Sequence, residues 1–510
     1  MKPTRRLALC AALAFAATAG AAPVYVAIPL GSIGHFGGFA AGMNDLGHVV
    51  GYYYDAGGTE HAFVHDGAFR SLGLPEDVRS YATAINANGT IIGNRIVDGT
   101  RLGFAWRAGK FTDLGATANG RRDVRDINAS GWITGAAVYP NGIPYAYIDD
   151  GTLFDLGVDR DAGSEGNAIN DAGMVTGAMT FASYTDQPPR LRAFLYSGLR
   201  AKELGTLGGN FSAGIGLNAG GDVVGWSSTG TDELPRAFLY DGMTMMPIGP
   251  PAYISLARSI NDGREAVGSY SSTRSEVLWR SFYQNAAEGV SHDLDGLLRP
   301  PMPGSQMSSV YTINQRGQIS GTACSEALSC FPVRLDPVAI PAESPSAVRV
   351  TAIEYYHAGF DHYFLSIDPA EIAALDRGAF SGWVRTGESF ELYGEPVVGA
   401  APMCRFFSAS FAPKSSHFFT AALAECLDVL ANPNWEFEGV RMFALAPDAS
   451  GVCPTGSAPV YRLYNDGQGG APAHRFTIRR SIQSELVARG WIREGVGVDG
   501  VGYCTAMAAF

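Results

Sequence analysis

Three histidines recur at one place in a repeated pattern: His362, His417 and His474. Each opens an aromatic-rich stretch, His362-Tyr363-Phe364, His417-Phe418-Phe419 and His474-Arg475-Phe476. Three imidazoles meeting on a common axis could make a three-histidine metal site. A strand-opening histidine that hydrogen-bonds backbone explains the spacing equally well. The acidic neighbour that would orient such a ligand is not repeated: Asp361 precedes His362, but Ser416 precedes His417 and Ala473 precedes His474. A second oxygen-rich candidate is the run from Asp159 through Asp161 to Ser164 and Glu165, whose alternating ligands suggest calcium. It lacks the full calcium-loop pattern, and a solvated turn accounts for it as well. Asn210-Phe211-Ser212-Ala213-Gly214 approaches a nucleophile elbow without its first glycine. The chain has no H-E-x-x-H, no G-x-S-x-G and no phosphate-binding loop. No catalytic or cofactor-binding residue is assigned.

Seven cysteines are present, and Cys10 lies in an N-terminal apolar run. The other six are Cys324, Cys330, Cys404, Cys426, Cys453 and Cys504. An even number in an exported chain argues for disulfides. The expected pairs are Cys324–Cys330, Cys404–Cys426 and Cys453–Cys504, although six thiols allow other connectivities. Their spacing does not resemble a zinc ribbon.

The elements that would position these residues follow from a repeated unit, Ala168-Ile169-Asn170-Asp171-Ala172-Gly173-Met174-Val175-Thr176-Gly177. Its asparagine returns at Asn44, Asn86, Asn128, Asn218, Asn261 and Asn314. Glycine stands three residues later in every copy but the sixth, where Arg264 follows Gly263. The residues just before the asparagine and five after it are apolar throughout. Asparagine opens a type I turn, and a left-handed glycine closes a hairpin loop. The two apolar positions then face each other across the hairpin. Asparagines lining a binding ring are the functional alternative, but the turn alone accounts for the pattern.

After each hairpin comes a short apolar strand such as Ala193-Phe194-Leu195, then a strand ending in Leu-Gly or Ile-Gly such as Leu204-Gly205. Four strands per period predict a β-propeller. The seventh copy lacks its last strand, and Ile28 to Gly34 matches Lys202 to Gly208. The N-terminal strand is therefore expected to complete the last blade and close the ring. Residues 23–335 are predicted to form an all-β seven-bladed β-propeller.

These motifs resemble the HAF-repeat family of bacterial extracellular proteins. Arg192-Ala193-Phe194-Leu195-Tyr196, Leu204-Gly205-Thr206-Leu207-Gly208-Gly209 and Ile169-Asn170-Asp171-Ala172-Gly173 carry the resemblance, and His61-Ala62-Phe63 keeps the letters of the name. The resemblance implies an extracellular setting and no agreed activity.

Residues 336–349 read as a linker. From 350 to 510 the pattern changes to three repeats. Each has an aromatic strand, a His-opened strand, a helical segment and Trp-x-x-x-Gly, at Trp383, Trp435 and Trp491. The expected helices are Pro369 to Asp376, Ala421 to Leu430 and Ser481 to Arg489. This part predicts a smaller α+β pseudo-threefold domain, with a trefoil-like arrangement as one form. It resembles an uncharacterised three-repeat domain appended to bacterial secreted proteins, which implies a role in attachment. The tryptophans could stack on sugars or fill repeat junctions.

Residues 1–22 read as a secretory signal peptide: Arg5-Arg6, an apolar run from Leu7 to Ala17, then Ala19-Gly20-Ala21. That run is too short for a membrane span. The protein is expected to be secreted or periplasmic. The formal net charge is −12, which disfavours nucleic acid and anionic membranes as partners. The expected function is binding without catalysis, with a glycan or cell-surface component as partner. An extracellular polysaccharide hydrolase or lyase is the alternative, and a structural envelope protein comes third. Paired acidic residues on one end of the ring would favour the enzyme. Tyrosine, asparagine and tryptophan without such a pair would favour binding.

Overall fold

Each asparagine makes the predicted turn. The Asn170 N–H donates to Met174 O (3.1 Å), and the Gly173 N–H donates to Asn170 O (3.0 Å). Gly173 is left-handed, with φ +73°. The Asn170 side chain fixes the loop, its Oδ1 accepting the N–H groups of Ala172 (3.1 Å) and Met174 (3.0 Å). The bond to the fourth following N–H recurs at Asn44, Asn86, Asn128, Asn218, Asn261 and Asn314. In the sixth copy Arg264 itself is left-handed, with φ +59°. Ile169 faces Val175 across the hairpin, as the apolar pattern requires.

The computed structural model describes residues 22–506, apart from 32–36, 75–78, 116–120, 159–161, 182–189, 199, 231, 275–278, 303, 327–328, 340, 343 and 345. The predicted signal peptide therefore lies outside the described residues, except for Ala22. From Val24 to Val338 the described chain builds four-stranded antiparallel units. In the first, β2 (Gly38–Met43), β3 (Val49–Tyr54), β4 (Glu60–His65) and β5 (Phe69–Ser71) pair in order. The pattern repeats in units opening with Arg79–Ile85, Arg122–Ile127, Ser164–Ile169, Gly208–Leu217 and Ile254–Ile260. The final unit joins Ser305–Ile313, Ile319–Ser325 and Cys330–Val338 to β1 (Val24–Pro29).

That closing strand sits earlier than the sequence match suggested. It runs from Val24, facing Val338, to Pro29, facing Val333. The reason is Leu30, which takes the place of Leu204: both are buried, and each donates its N–H back to the neighbouring strand, Leu30 to Pro332 O and Leu204 to Ala193 O. The strand must end before that residue. Ser32 to Gly34 lie outside the described residues. The predicted linker also starts late, because Asp336, Pro337 and Val338 pair with Val26, Tyr25 and Val24.

The first strand of each unit packs on the first strand of the next, and Ser305–Ile313 packs on β2. Apolar cores fill the spaces between successive units. Val50, Ala62 and Val64 of the first unit, for example, meet Ala82, Ile85 and Phe104 of the second. The architecture is all-β and propeller-like.

The C-terminal region repeats a hairpin, a helix and a return strand. The helices are α1 (Pro369–Asp376), α2 (Leu423–Leu430) and α3 (Arg480–Ala488). Asp368 caps α1, accepting the N–H groups of Ala370 and Glu371. The three return segments touch pairwise, at Tyr393↔Phe443, Leu445↔Cys504 and Glu391↔Ala506. Arginines bind consecutive repeats. Arg405 bridges Glu371 of α1 and Glu438, and Arg462 bridges Glu425 of α2 and Glu494. At the equivalent place in the first repeat the polarity reverses: Glu354 stands there and takes Arg475.

β1 belongs to both regions. Its Tyr25 and Ala27 lie in the core of the last propeller-like unit. Its Val26 and Ile28 lie in a core with Tyr393, Phe443 and Leu445 of the C-terminal region. Side chains alternate along a strand, so one six-residue strand serves two cores.

Candidate functional site

The residues singled out from the sequence separate in space. His362 is 2 % exposed and donates from Nδ1 to Ser415 O (2.7 Å). His474 stacks on Tyr464, with Nε2 3.1 Å from Glu494. His417 sits against Phe364 and Phe407, 3.8 Å from Glu438. Burial, reinforced by the Arg405 guanidinium, pushes His417 down to about 3, and burial also lowers His362 and His474. The three imidazoles are held by different partners, and among the described residues no group of three His, Cys, Asp or Glu is placed to hold a metal. Asp159 and Asp161 lie outside the described residues.

Ser212 is completely buried; it donates to Gly205 O (2.6 Å) and accepts the Ala193 N–H (2.9 Å). Ser80, Ser164 and Ser255 likewise accept the N–H of Ala62, Ala146 and Ala237 from the preceding unit. This serine is a joint between units and presents no nucleophile. Trp491 is buried, whereas Trp383 and Trp435 are half-buried against aromatic neighbours. The disulfides join Cys324 to Cys330, Cys404 to Cys426 and Cys453 to Cys504.

The asparagines do form a ring, and it is closed to ligands. Each Nδ2 donates to the backbone carbonyl of the next asparagine: Asn44 to Asn86 (3.0 Å), Asn86 to Asn128 (3.1 Å), Asn128 to Asn170 (3.1 Å) and Asn170 to Asn218 (3.0 Å). Asn218 continues to Asn261 (3.3 Å), Asn261 to Asn314 (3.1 Å), and Asn314 returns to Asn44 (3.0 Å). All seven are buried. Each amide is occupied by its own turn and its neighbour, so the turn reading was incomplete: the residue also fastens unit to unit.

A different layer remains open. Three residues before each asparagine the antiparallel register slips, leaving Ala41, Thr83, Arg125, Asn167, Ile215, Arg258 and Tyr311 as bulged residues. A bulge re-aims its side chain and is common beside functional sites. All seven are half-buried, on first strands that neighbour one another around the array. This layer is axial.

Its chemistry changes around the ring. The Arg258 guanidinium lies 6.0 Å from the Tyr311 ring centre. Thr312, next to Tyr311, donates to Ala41 O (3.4 Å) and joins the last unit to β2. On β2 and β3, Phe39 stacks on Tyr52 at 5.2 Å, and Tyr54 meets both edge-on. Burial, then the neighbouring phenols of Tyr54 and Tyr311, push the Tyr52 hydroxyl far above the usual phenol range. Further round, Arg79 pairs with Glu60 (2.8 Å), and Arg101 lies over Tyr81. Asp123 accepts Arg101 (3.1 Å) and Arg121 (2.8 Å), and Glu165 accepts Arg125 (2.5 Å). Glu60, Asp123 and Glu165 are thus engaged by arginine, and the Asp123 side chain is only 2 % exposed, whereas Asp126, beside the bulged Arg125, accepts the Ile127 and Ile169 N–H groups (2.9 Å each) and is raised by burial to about 6.

The repeat hides this layer because its residues differ from copy to copy. The usable signal was the variation itself: one polar or aromatic position, three before the asparagine, inside an otherwise constant hairpin.

A family model described as "Domain of unknown function (DUF5648)" matches residues 339–445 and 446–501. No curated protein matches the chain. Among solved structures, the chain is similar to the β-propeller domain of the Trilobed protease from Pyrococcus furiosus, described as having an open velcro topology. The identity is 10 %, the coverage 59 % of this chain and 95 % of that one, and the TM-score 0.43. A puromycin hydrolase follows with 11 % identity, coverage of 65 % and 58 %, and a TM-score of 0.39. A putative TolB from Agrobacterium tumefaciens has 13 % identity, coverage of 57 % and 99 %, and a TM-score of 0.35. These similarities are low, and the description of the fold rests on the strand pairing itself.

Proposed function

We propose that this is a secreted binding protein without catalysis, built as a closed seven-bladed β-propeller with a C-terminal attachment domain. The axial layer beside Phe39, Tyr52 and Tyr311 is its ligand surface. One observation carries the reading: the half-buried axial residues offer aromatic faces and guanidinium groups, while Asp123 and Glu165 are tied up in arginine pairs. A glycoside hydrolase needs one carboxyl free to give a proton and another free to act as base or nucleophile. The N-terminal signal and three disulfides support export. Attachment is the role assigned to residues 350–510, with the propeller spanning 23–338, and β1 joins the two regions through its two faces.

The mature protein should bind a subset of a polysaccharide array, and Tyr52→Ala with Tyr311→Ala should abolish the signal. A reducing-end assay on the bound polymers should detect no cleavage. Release of new reducing ends would overturn the non-catalytic reading, and an array signal unchanged by the double variant would move the ligand surface elsewhere.

A further inference from the structure

We propose that the axial surface takes an acidic sugar, a pyranose carrying a carboxylate or sulfate, with Arg258 as its anion contact and the Phe39, Tyr52, Tyr311 cluster as its stacking face. The inference rests on the binding reading of the same surface and names its ligand class.

Three observations converge. The first is placement. Arg258 and Tyr311 are bulged residues of adjacent units, with the guanidinium 6.0 Å from the ring centre. The bond from Thr312 to Ala41 O (3.4 Å) brings that pair beside β2, where Phe39 stacks on Tyr52. Charge and aromatic faces therefore form one continuous surface across three units.

The second is the state of Arg258. It is half-buried, and among the described residues no carboxylate pairs with it. Arg79 and Arg125 have carboxylate partners, and Arg101 and Arg121 share one. A cation–π contact leaves the guanidinium N–H fork unfilled, and that fork matches a carboxylate or sulfate in geometry.

The third is local charge. The whole chain carries −12. In this layer the Arg258 guanidinium has no carboxylate partner among the described residues and lies beside the Tyr311 ring. A cation beside aromatic faces on an acidic protein draws anions to that spot. Stacking on half-buried aromatic faces adds the requirement for a ring with an apolar side, which an isolated inorganic anion lacks.

Affinity gel electrophoresis of the full mature chain tests this, with polygalacturonate, dextran sulfate or uncharged dextran held in the gel. At least one acidic polymer should retard the protein while dextran does not, and whichever does so identifies the anion as carboxylate or sulfate. Arg258→Gln should weaken the retardation about tenfold or more, the scale of a lost charged hydrogen bond. Arg258→Lys should keep part of it, Tyr52→Ala should lose it, and Arg107→Gln on an outer strand should match the wild type. Raising the salt should weaken binding. Equal retardation by dextran, unchanged in Arg258→Gln, would overturn the acidic class and leave the binding reading standing. Retardation by acidic polymers that survives both Arg258→Gln and Tyr52→Ala would overturn the site. Absence of retardation in all three gels would overturn the inference, and the array would then judge the binding reading separately.

Discussion

Replacing Asn170 with alanine should be among the most damaging single changes in the propeller-like region. The side chain makes four bonds: it accepts from Ala172 N (3.1 Å) and Met174 N (3.0 Å), and it donates to Asn218 O (3.0 Å) and, at longer range, to Ala219 O (3.5 Å). The first two resemble a helix cap, where losing the side chain costs about 0.5–2 kcal/mol. The third is one of two donors to the Asn218 carbonyl, which keeps the Gly221 N–H of its own turn (3.2 Å), so losing it costs about 0.5–1.5 kcal/mol. Asn170→Ala should therefore destabilise by about 2 kcal/mol in urea melts. Asn170→Asp separates the parts. It keeps an acceptor for both N–H groups, removes the donor and sets a carboxylate against a carbonyl, so it should cost about 1–3 kcal/mol. Asn88→Ala, which removes an exposed bond to Ala129 O (2.9 Å), is the control and should cost less than about 1 kcal/mol. If Asn170→Ala matched that control, the turn account would be refuted. If Asn170→Asp matched the wild type, the inter-unit bond would contribute nothing.

The other predictions concern pH, the turn, the disulfides and the shared strand. Burial pushes His417 down to about 3, so the unfolded chain, titrating near about 6.5, takes up the proton first. Stability should fall as pH drops below about 6.5, by up to about 1.4 kcal/mol per unit from this ring; His417→Phe should flatten that slope, and a slope unchanged by the variant would contradict the assignment. Gly173→Val should cost more than about 2 kcal/mol, because φ is +73° and a Cβ would lie 2.8 Å from Trp132. Asp171→Ala should cost about 1 kcal/mol, since its carboxylate accepts the Ala129 N–H of the preceding unit, and equal losses for the two would count against the turn geometry. Denaturing thiol titration of the mature protein should find no free cysteine, and removing Cys404–Cys426 should cost about 3 kcal/mol. Ile28→Ser should weaken both regions together, lowering the melt followed by tryptophan fluorescence and also that followed by protection of the Cys453–Cys504 disulfide; an effect confined to one region would argue against the shared core.

The repeat in the sequence was enough to give the hairpin. The asparagine, the glycine and the two apolar positions are local requirements, and local turn chemistry reads the same at Asn44 as at Asn314. Cysteine pairing within short stretches was legible for a similar reason: Cys324 and Cys330 flank one loop, and Cys404 and Cys426 one hairpin and helix. The three C-terminal helices fell within two residues of their expected starts, because helix boundaries follow nearby residues such as Asp368.

Tertiary structure alone decided what each repeated side chain does beyond its own loop. The Asn170 amide reaches a carbonyl 48 residues away, and the Asn314 amide reaches one 270 residues away. No local pattern encodes such a partner, since only the packing of one unit on the next brings them within bonding distance. The same holds for His362, His417 and His474, which open the same strand in three repeats and are held by a carbonyl, an aromatic sandwich and a carboxylate. It holds most for Arg258 and Tyr311. Fifty-three residues separate the asparagines that follow them, yet a bulge in each of two adjacent strands turns both side chains toward one axis. The sequence marked those positions only as irregular, because orientation around an axis is set by how whole units pack and not by any neighbour in the chain.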